Sequence, residues 1–203
     1  MIRFTRLGAA AALIVAACLG ALAAMPASAQ PLAGPPQVAQ PASSTYNANQ
    51  LVTAGQNFFG QVSGNLAQVI ENAVSRFGLP NGYILGTTGG GAIVAGVRYG
   101  SGTLYTQNQG TRQVYWRGPS IGFDVGGDFS QTMILVYDLP SIDAIYQRFF
   151  GAGGNAYVVG GVGMTVLTGN GITLVPIVSG LGARVGINIS YLRFSPQANA
   201  NPF

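Results

Sequence analysis

"AIVAGVRYGSGTLYTQNQGTRQVYWRG", residues 92–118, is the stretch on which the fold turns. It holds β-branched and aromatic runs at 92–99, 103–108 and 112–117. Such side chains suit a pleated, half-buried surface. Ser101-Gly102 and Asn108-Gln109-Gly110 separate the runs, and these residue types favour turns. Connections this short leave no room for a crossover helix, so neighbouring strands are expected to pair as antiparallel hairpins.

The pattern continues outward. Further strand-like runs lie at 83–86, 120–125, 132–137, 156–159, 164–168, 172–178 and 183–194, with another turn signal at Gly169-Asn170-Gly171. The expected fold class is mainly β: an antiparallel sheet of about eight to ten strands, closed as a barrel, with one or two packed helices. The 31 glycines fit this reading, because glycine within a strand permits the sharp bending of a small barrel.

Two segments have helical spacing. In "SGNLAQVIENAVSRFGLP", Leu66, Val69, Ile70, Ala73, Val74 and Phe77 share one face of a helix over 63–77. Ser63 is a suitable N-cap, and Gly78 and Pro80 stop the helix. In "LPSIDAIYQRFFG", residues 139–151, the alignment of Ile142, Ile145, Tyr146 and Phe149 predicts a second, shorter helix.

The N-terminus reads as an export signal over 1–29. Arg3 and Arg6 precede the apolar run 7–17, and Ala27-Ser28-Ala29 offers small residues for cleavage. A competing lipobox-like site, Val15-Ala16-Ala17-Cys18, would acylate Cys18 and leave a lipoprotein. The signal's own arginines supply half of the formal +4 charge, and what remains is too weak for a nucleic-acid footprint. No helix able to span a membrane is expected after signal removal. Residues 30–50, rich in proline and uncharged, read as a disordered lead-in, 51–195 as the barrel domain, and 196–203 as a C-terminal tail.

Residue types exclude much chemistry. The chain has no histidine and no lysine, and Cys18 is its one cysteine. Imidazole-based triads and Walker-type phosphate loops are ruled out. Thiolate and imidazole zinc sites have no ligands once Cys18 leaves with the signal. The glycines of "VYWRGPSIGFDVGGDFS", residues 114–130, therefore read as strand bends rather than a phosphate cradle. Asp124 and Asp128 would stand about 13 Å apart on a continuous strand, too far for a paired-carboxylate hydrolase unless Gly126-Gly127 turns the chain. Trp116, Arg117, Asp124 and Arg98 are the candidate ligand-binding residues, since an aromatic ring beside a guanidinium suits sugars and anionic head groups. The alternative reading of these residues is packing, with Arg117 or Arg98 paired to Asp124. No metal site, catalytic residue or cofactor is expected.

A small outer-membrane barrel is the alternative architecture. The prolines of "SPQANANPF" and strands of five or six residues fit it poorly, against the ~9–11 residues a spanning strand needs.

"AIVAGVRYGSGTLY" (92–105), "VYWRGPSIGFDVG" (114–126), "LVYDLP" (135–140), "RFFGAGGNAYVVGGVG" (148–163) and "LVPIVSGLGARVG" (174–186) together resemble, in order and spacing, the envelope integrity protein A family. The resemblance covers about 58–194. It implies a small soluble periplasmic β-barrel that supports cell-envelope integrity, with no agreed active site to carry over. The expected protein is a non-enzyme that binds an envelope lipid, a glycan or a periplasmic protein. An outer-membrane barrel and a carboxylate-based enzyme using Asp124 and Asp128 are the alternatives.

Overall fold

Asn170 and Gly171 take φ values of 45° and 81°, both in the left-handed region. A two-residue loop with both φ positive matches the right-handed twist of the strands it joins, and Gly169 and Ile172 pair directly across it. The computed structural model describes residues 44–60, 64–90, 97–119, 129–151, 157–179 and 191–198. Within them lie α1 (Ala48–Phe59), α2 (Gly64–Phe77), β1 (Gly82–Gly90), β2 (Val97–Thr106), β3 (Gly110–Pro119), β4 (Phe129–Tyr137), β5 (Arg148–Gly151), β6 (Tyr157–Val159), β7 (Val162–Met164), β8 (Leu167–Gly169), β9 (Ile172–Ser179) and β10 (Tyr191–Ser195).

The strands run in the order β4-β1-β2-β3-β10-β5-β8-β9, and pairing of β9 with β4 closes them into an antiparallel ring of eight. The expected mainly β, closed barrel with helices is thus the observed fold. β7 and β6 extend the sheet from β9. β7 and β8 keep one register against β9: Met164 faces Ile177 and Leu167 faces Leu174. That register puts Thr165 opposite Pro176. Thr165 N–H donates to the Pro176 carbonyl at 3.1 Å, and the reciprocal bond is missing because proline has no N–H.

Strand alternation divides the apolar side chains into two cores. Ile84, Leu104, Val114, Trp116, Ile134, Val136, Leu174, Leu192 and Phe194 fill the barrel interior. Met133, Leu135, Tyr137, Val175 and Ile177 project to the other side of the sheet, where Leu51 and Phe59 of α1 and Leu66, Val69, Ile70 and Ala73 of α2 cover them. β4 is buried on both faces, which explains its unbroken apolar run Met133-Ile134-Leu135-Val136. Burying each such side chain contributes about 1.5–3 kcal/mol, an upper bound set by the unfolded reference.

The 63–77 reading matches α2, whose described span begins at Gly64. Gly78 at φ 80° donates its N–H to Val74 and ends the helix. Phe77 lies at the rim, packed on Tyr137 at 5.9 Å between ring centres.

Three expectations are corrected. Residues 139–151 do not form a second helix of that length: a single 3-10 turn, Ile142–Ile145, is followed by β5. The Ile142/Ile145 spacing is that of one 3-10 turn, and both residues join the interior core. Pairing of β5 with β10 and β8 then holds Arg148–Gly151 extended, which no local helical preference outweighs. Ser101-Gly102 is not a turn but the middle of β2, paired with Thr87 and Gly86. The glycines answer to close approach instead. A Cβ on Gly102 would lie 2.4 Å from the Leu85 carbonyl oxygen, and one on Gly100 would lie 2.1 Å from the Trp116 indole. Finally, α1 starts at Ala48, inside the segment read as lead-in. Asn47 and Gln50 cap it reciprocally, each side chain accepting from the other's N–H at 2.9 Å.

The 3-10 turn is held at the barrel end by side chains acting as backbone. Asn81 donates to the Leu139 carbonyl at 2.9 Å and accepts from Leu139 N–H at 3.1 Å. Gln109 accepts from Ile142 N–H at 2.6 Å.

Candidate functional site

Trp116 and Arg117 are adjacent in β3, so they face opposite sides of the sheet. Trp116 points into the barrel and is 2 % exposed. Its indole occupies the space left by the missing side chains of Gly86 and Gly100, and it packs on Phe194 at 5.9 Å between ring centres. Its Nε1 donates to Thr88 Oγ1 at 3.1 Å, and Thr88 Oγ1 lies 3.0 Å from Thr132 Oγ1. Thr132 also bonds the Ser130 carbonyl at 3.4 Å.

Arg117 lies on the other face and is buried at 4 % exposure. Direct cross-strand pairing sets it between Tyr99 of β2 and Arg193 of β10. The next outward row places Thr87, Ser101, Tyr115 and Ser195 in register across β1, β2, β3 and β10. Arg117, Tyr99, Tyr115, Thr87, Ser101 and Ser195 line a cleft of about 630 Å³, which Trp116 also borders. Aromatic faces, hydroxyls and a guanidinium are therefore gathered in one concave surface, a composition able to hold a polar or anionic head group.

Arg98 is 9 % exposed and stands on the Trp116 side of β2, opposite Gly118 of β3. The structure therefore sets Trp116 and Arg98 on one side of the sheet and Arg117 on the other. Asp124 and Asp128 lie outside the described residues. Tyr99, Tyr115, Arg193 and Arg148, which register brings beside Arg117, are not singled out by the sequence reading. Period-two alternation within 97–119 carries the signal for the tyrosines, once the stretch is read as two long strands.

Burial raises Tyr46, Tyr83, Tyr137 and Tyr146, with Tyr46 and Tyr105 adding to the effect at Tyr83. No group of three or more His, Cys, Asp or Glu side chains placed to hold a metal occurs among the described residues. No helix among them is long and apolar enough to cross a membrane.

A comparison with curated proteins finds no match. Among solved structures, the chain is similar to a β-barrel-like, uncharacterized protein from Brucella abortus. The two are 50 % identical with a TM-score of 0.75, over 79 % of this chain and 100 % of that one. The family profile for envelope integrity protein A matches residues 44–203. Sharing that match over most of its length, this chain belongs to the envelope integrity protein A family.

Proposed function

We propose that the protein is a non-enzymatic, exported component of the cell envelope that works in the periplasm by holding an envelope molecule in the cleft over β1, β2, β3 and β10. The observation that carries this reading is the buried Arg117 guanidinium in a cleft lined by Tyr99 and Tyr115. Tyrosine rings stack on sugar or acyl-chain surfaces, hydroxyls bond polar groups, and a guanidinium meets phosphate or carboxylate with a planar fork of donors. The family's name supports a role in envelope integrity. The reading of residues 1–29 as an export signal agrees with that compartment.

A membrane-spanning barrel is disfavoured by the distribution of polarity. Spanning barrels present an apolar band outward and keep a polar interior. Here an apolar cluster fills most of the interior, with Arg98, Thr88 and Thr132 as its polar members, and α1 and α2 cover part of the outer face.

The test is to purify the protein after osmotic shock and to extract bound small molecules for mass spectrometry. A retained lipid or glycan is expected, and it is expected to be lost from Ser101→Phe, which fills the cleft from an outward position. Recovery of no lipid or glycan above background would refute the reading, and a need for detergent would refute the periplasmic placement.

A further inference from the structure

The same barrel carries a second outward feature beside the cleft. Arg117 of β3 pairs with Arg193 of β10, and Arg193 pairs with Arg148 of β5. Three arginines thus stand in direct register on three successive strands. Their neighbours Trp116, Phe194, Leu192 and Phe149 are interior, so alternation directs all three to the outer face. At strand spacings of about 4.8 Å the row is about 10 Å across. Arg148 is exposed and Arg193 half-buried. Neither has a carboxylate partner among the described residues, where the ion pair recorded is Arg112 with Asp143 at 3.9 Å. Like charges directly opposite each other weaken a sheet, so the pairing of Arg193 with Arg148 is not itself a stabilising one.

The row beside it is aromatic. Phe150 pairs with Tyr191, their rings 5.6 Å apart, and Phe150 is 56 % exposed. Arginines over one row, and over the next an exposed ring beside a half-buried one, match the two layers of a membrane interface, where guanidinium groups meet phosphates and aromatic rings settle among head groups. A soluble polyanion would use the arginines and leave Phe150 without a role.

We infer that the outer face of β10 and β5 docks peripherally on an anionic phospholipid bilayer, through Arg148 and Arg193 with Phe150 and Tyr191 seated at the head-group level. This goes beyond the cleft reading and does not require the cleft to be occupied.

Flotation of the purified protein with vesicles tests it. Vesicles of phosphatidylglycerol and phosphatidylcholine in equal parts should carry the protein, those of phosphatidylcholine alone should not, and binding should fall as salt is raised. Each arginine removed should weaken partitioning about fivefold, so Arg148→Gln/Arg193→Gln should lose about 25-fold. Arg148→Lys should retain binding, and Phe150→Ser should weaken it. Arg112→Gln, which removes the same charge elsewhere, should bind as the parent does. An equal loss in Arg112→Gln would overturn the proposal by reducing it to net charge. Binding to a soluble anionic glycan but not to vesicles would overturn it too. Ser101→Phe should float normally, so loss of a cleft ligand and loss of vesicle binding report on separate readings.

Discussion

Replacing Gly100 by alanine tests how the barrel interior is filled. A Cβ there would stand 2.1 Å from Trp116 Cε2 and 2.2 Å from Nε1. Carbon atoms in contact normally lie about 3.5–4.0 Å apart, so the indole must move by more than about 1 Å. Overpacking of this kind costs about 1–3 kcal/mol. Displacing the indole also strains its 3.1 Å bond to Thr88, worth about 1 kcal/mol. Relief of glycine's backbone freedom returns about 0.5–1 kcal/mol. The net expectation for Gly100→Ala is a loss of about 1–3 kcal/mol, or roughly 2–12 °C in Tm for a domain of this size. Trp116→Phe alone should cost less than the ~3–5 kcal/mol of full truncation. The double variant decides between explanations. The smaller ring vacates the space the new methyl needs, so the combined loss should fall short of the sum by about 1–2 kcal/mol. Urea denaturation of the four proteins supplies the cycle. Additivity within about 0.5 kcal/mol would refute the view that Gly100 is present to admit the indole.

Tyr137 is 3 % exposed, its hydroxyl has no protein hydrogen-bond partner among the described residues, and burial holds its pKa well above the ordinary value. The unfolded chain therefore ionises first: stability is full below pH ~10 and declines as pH rises from there toward the folded value. Tyr137→Phe should raise the alkaline unfolding midpoint while leaving neutral stability equal or about 1 kcal/mol higher, as followed by circular dichroism. An unmoved alkaline midpoint would assign that transition to other groups. Asn81→Ala removes both bonds to Leu139 and should cost about 1–3 kcal/mol, read as a lower urea midpoint at constant slope. An unchanged midpoint would mean the 3-10 turn seats without its clamp.

The barrel was legible because its signals are local. β-branched and aromatic runs mark most of the strands, and Asn170-Gly171 names its own turn. The helix over 63–77 was legible because about four consecutive turns of spacing agree on one face. What escaped depends on partners far away in sequence. Gly102 looks like a turn residue until the Leu85 carbonyl is brought against it, and 148–151 looks helical until β10 and β8 supply strand pairing. α1 escaped for a different reason. Its capping box uses Asn47 and Gln50, and Gly55 in its middle lowers helical preference. That glycine is needed where Leu66 and Met133 converge, 2.7 and 3.3 Å from an added Cβ. The candidate site was half legible. Trp116 and Arg117 were identified, but a pair adjacent in one strand splits between two faces, and the tyrosines and arginines that join Arg117 come from register, which composition does not encode.

The polar thread across the upper barrel has a fixed sense. An indole nitrogen can only give a hydrogen bond, and a carbonyl can only receive one. With Trp116 at one end and the Ser130 carbonyl at the other, each hydroxyl between them has a single proton and a single place to send it. Thr88 must therefore donate to Thr132, and Thr132 to Ser130. Two freely rotating hydroxyls are locked into one orientation by end groups that cannot exchange roles. The thread joins β3 to β1 and β1 to β4, so four neighbouring strands that backbone bonds join edge to edge are also tied along their inner wall, in one direction.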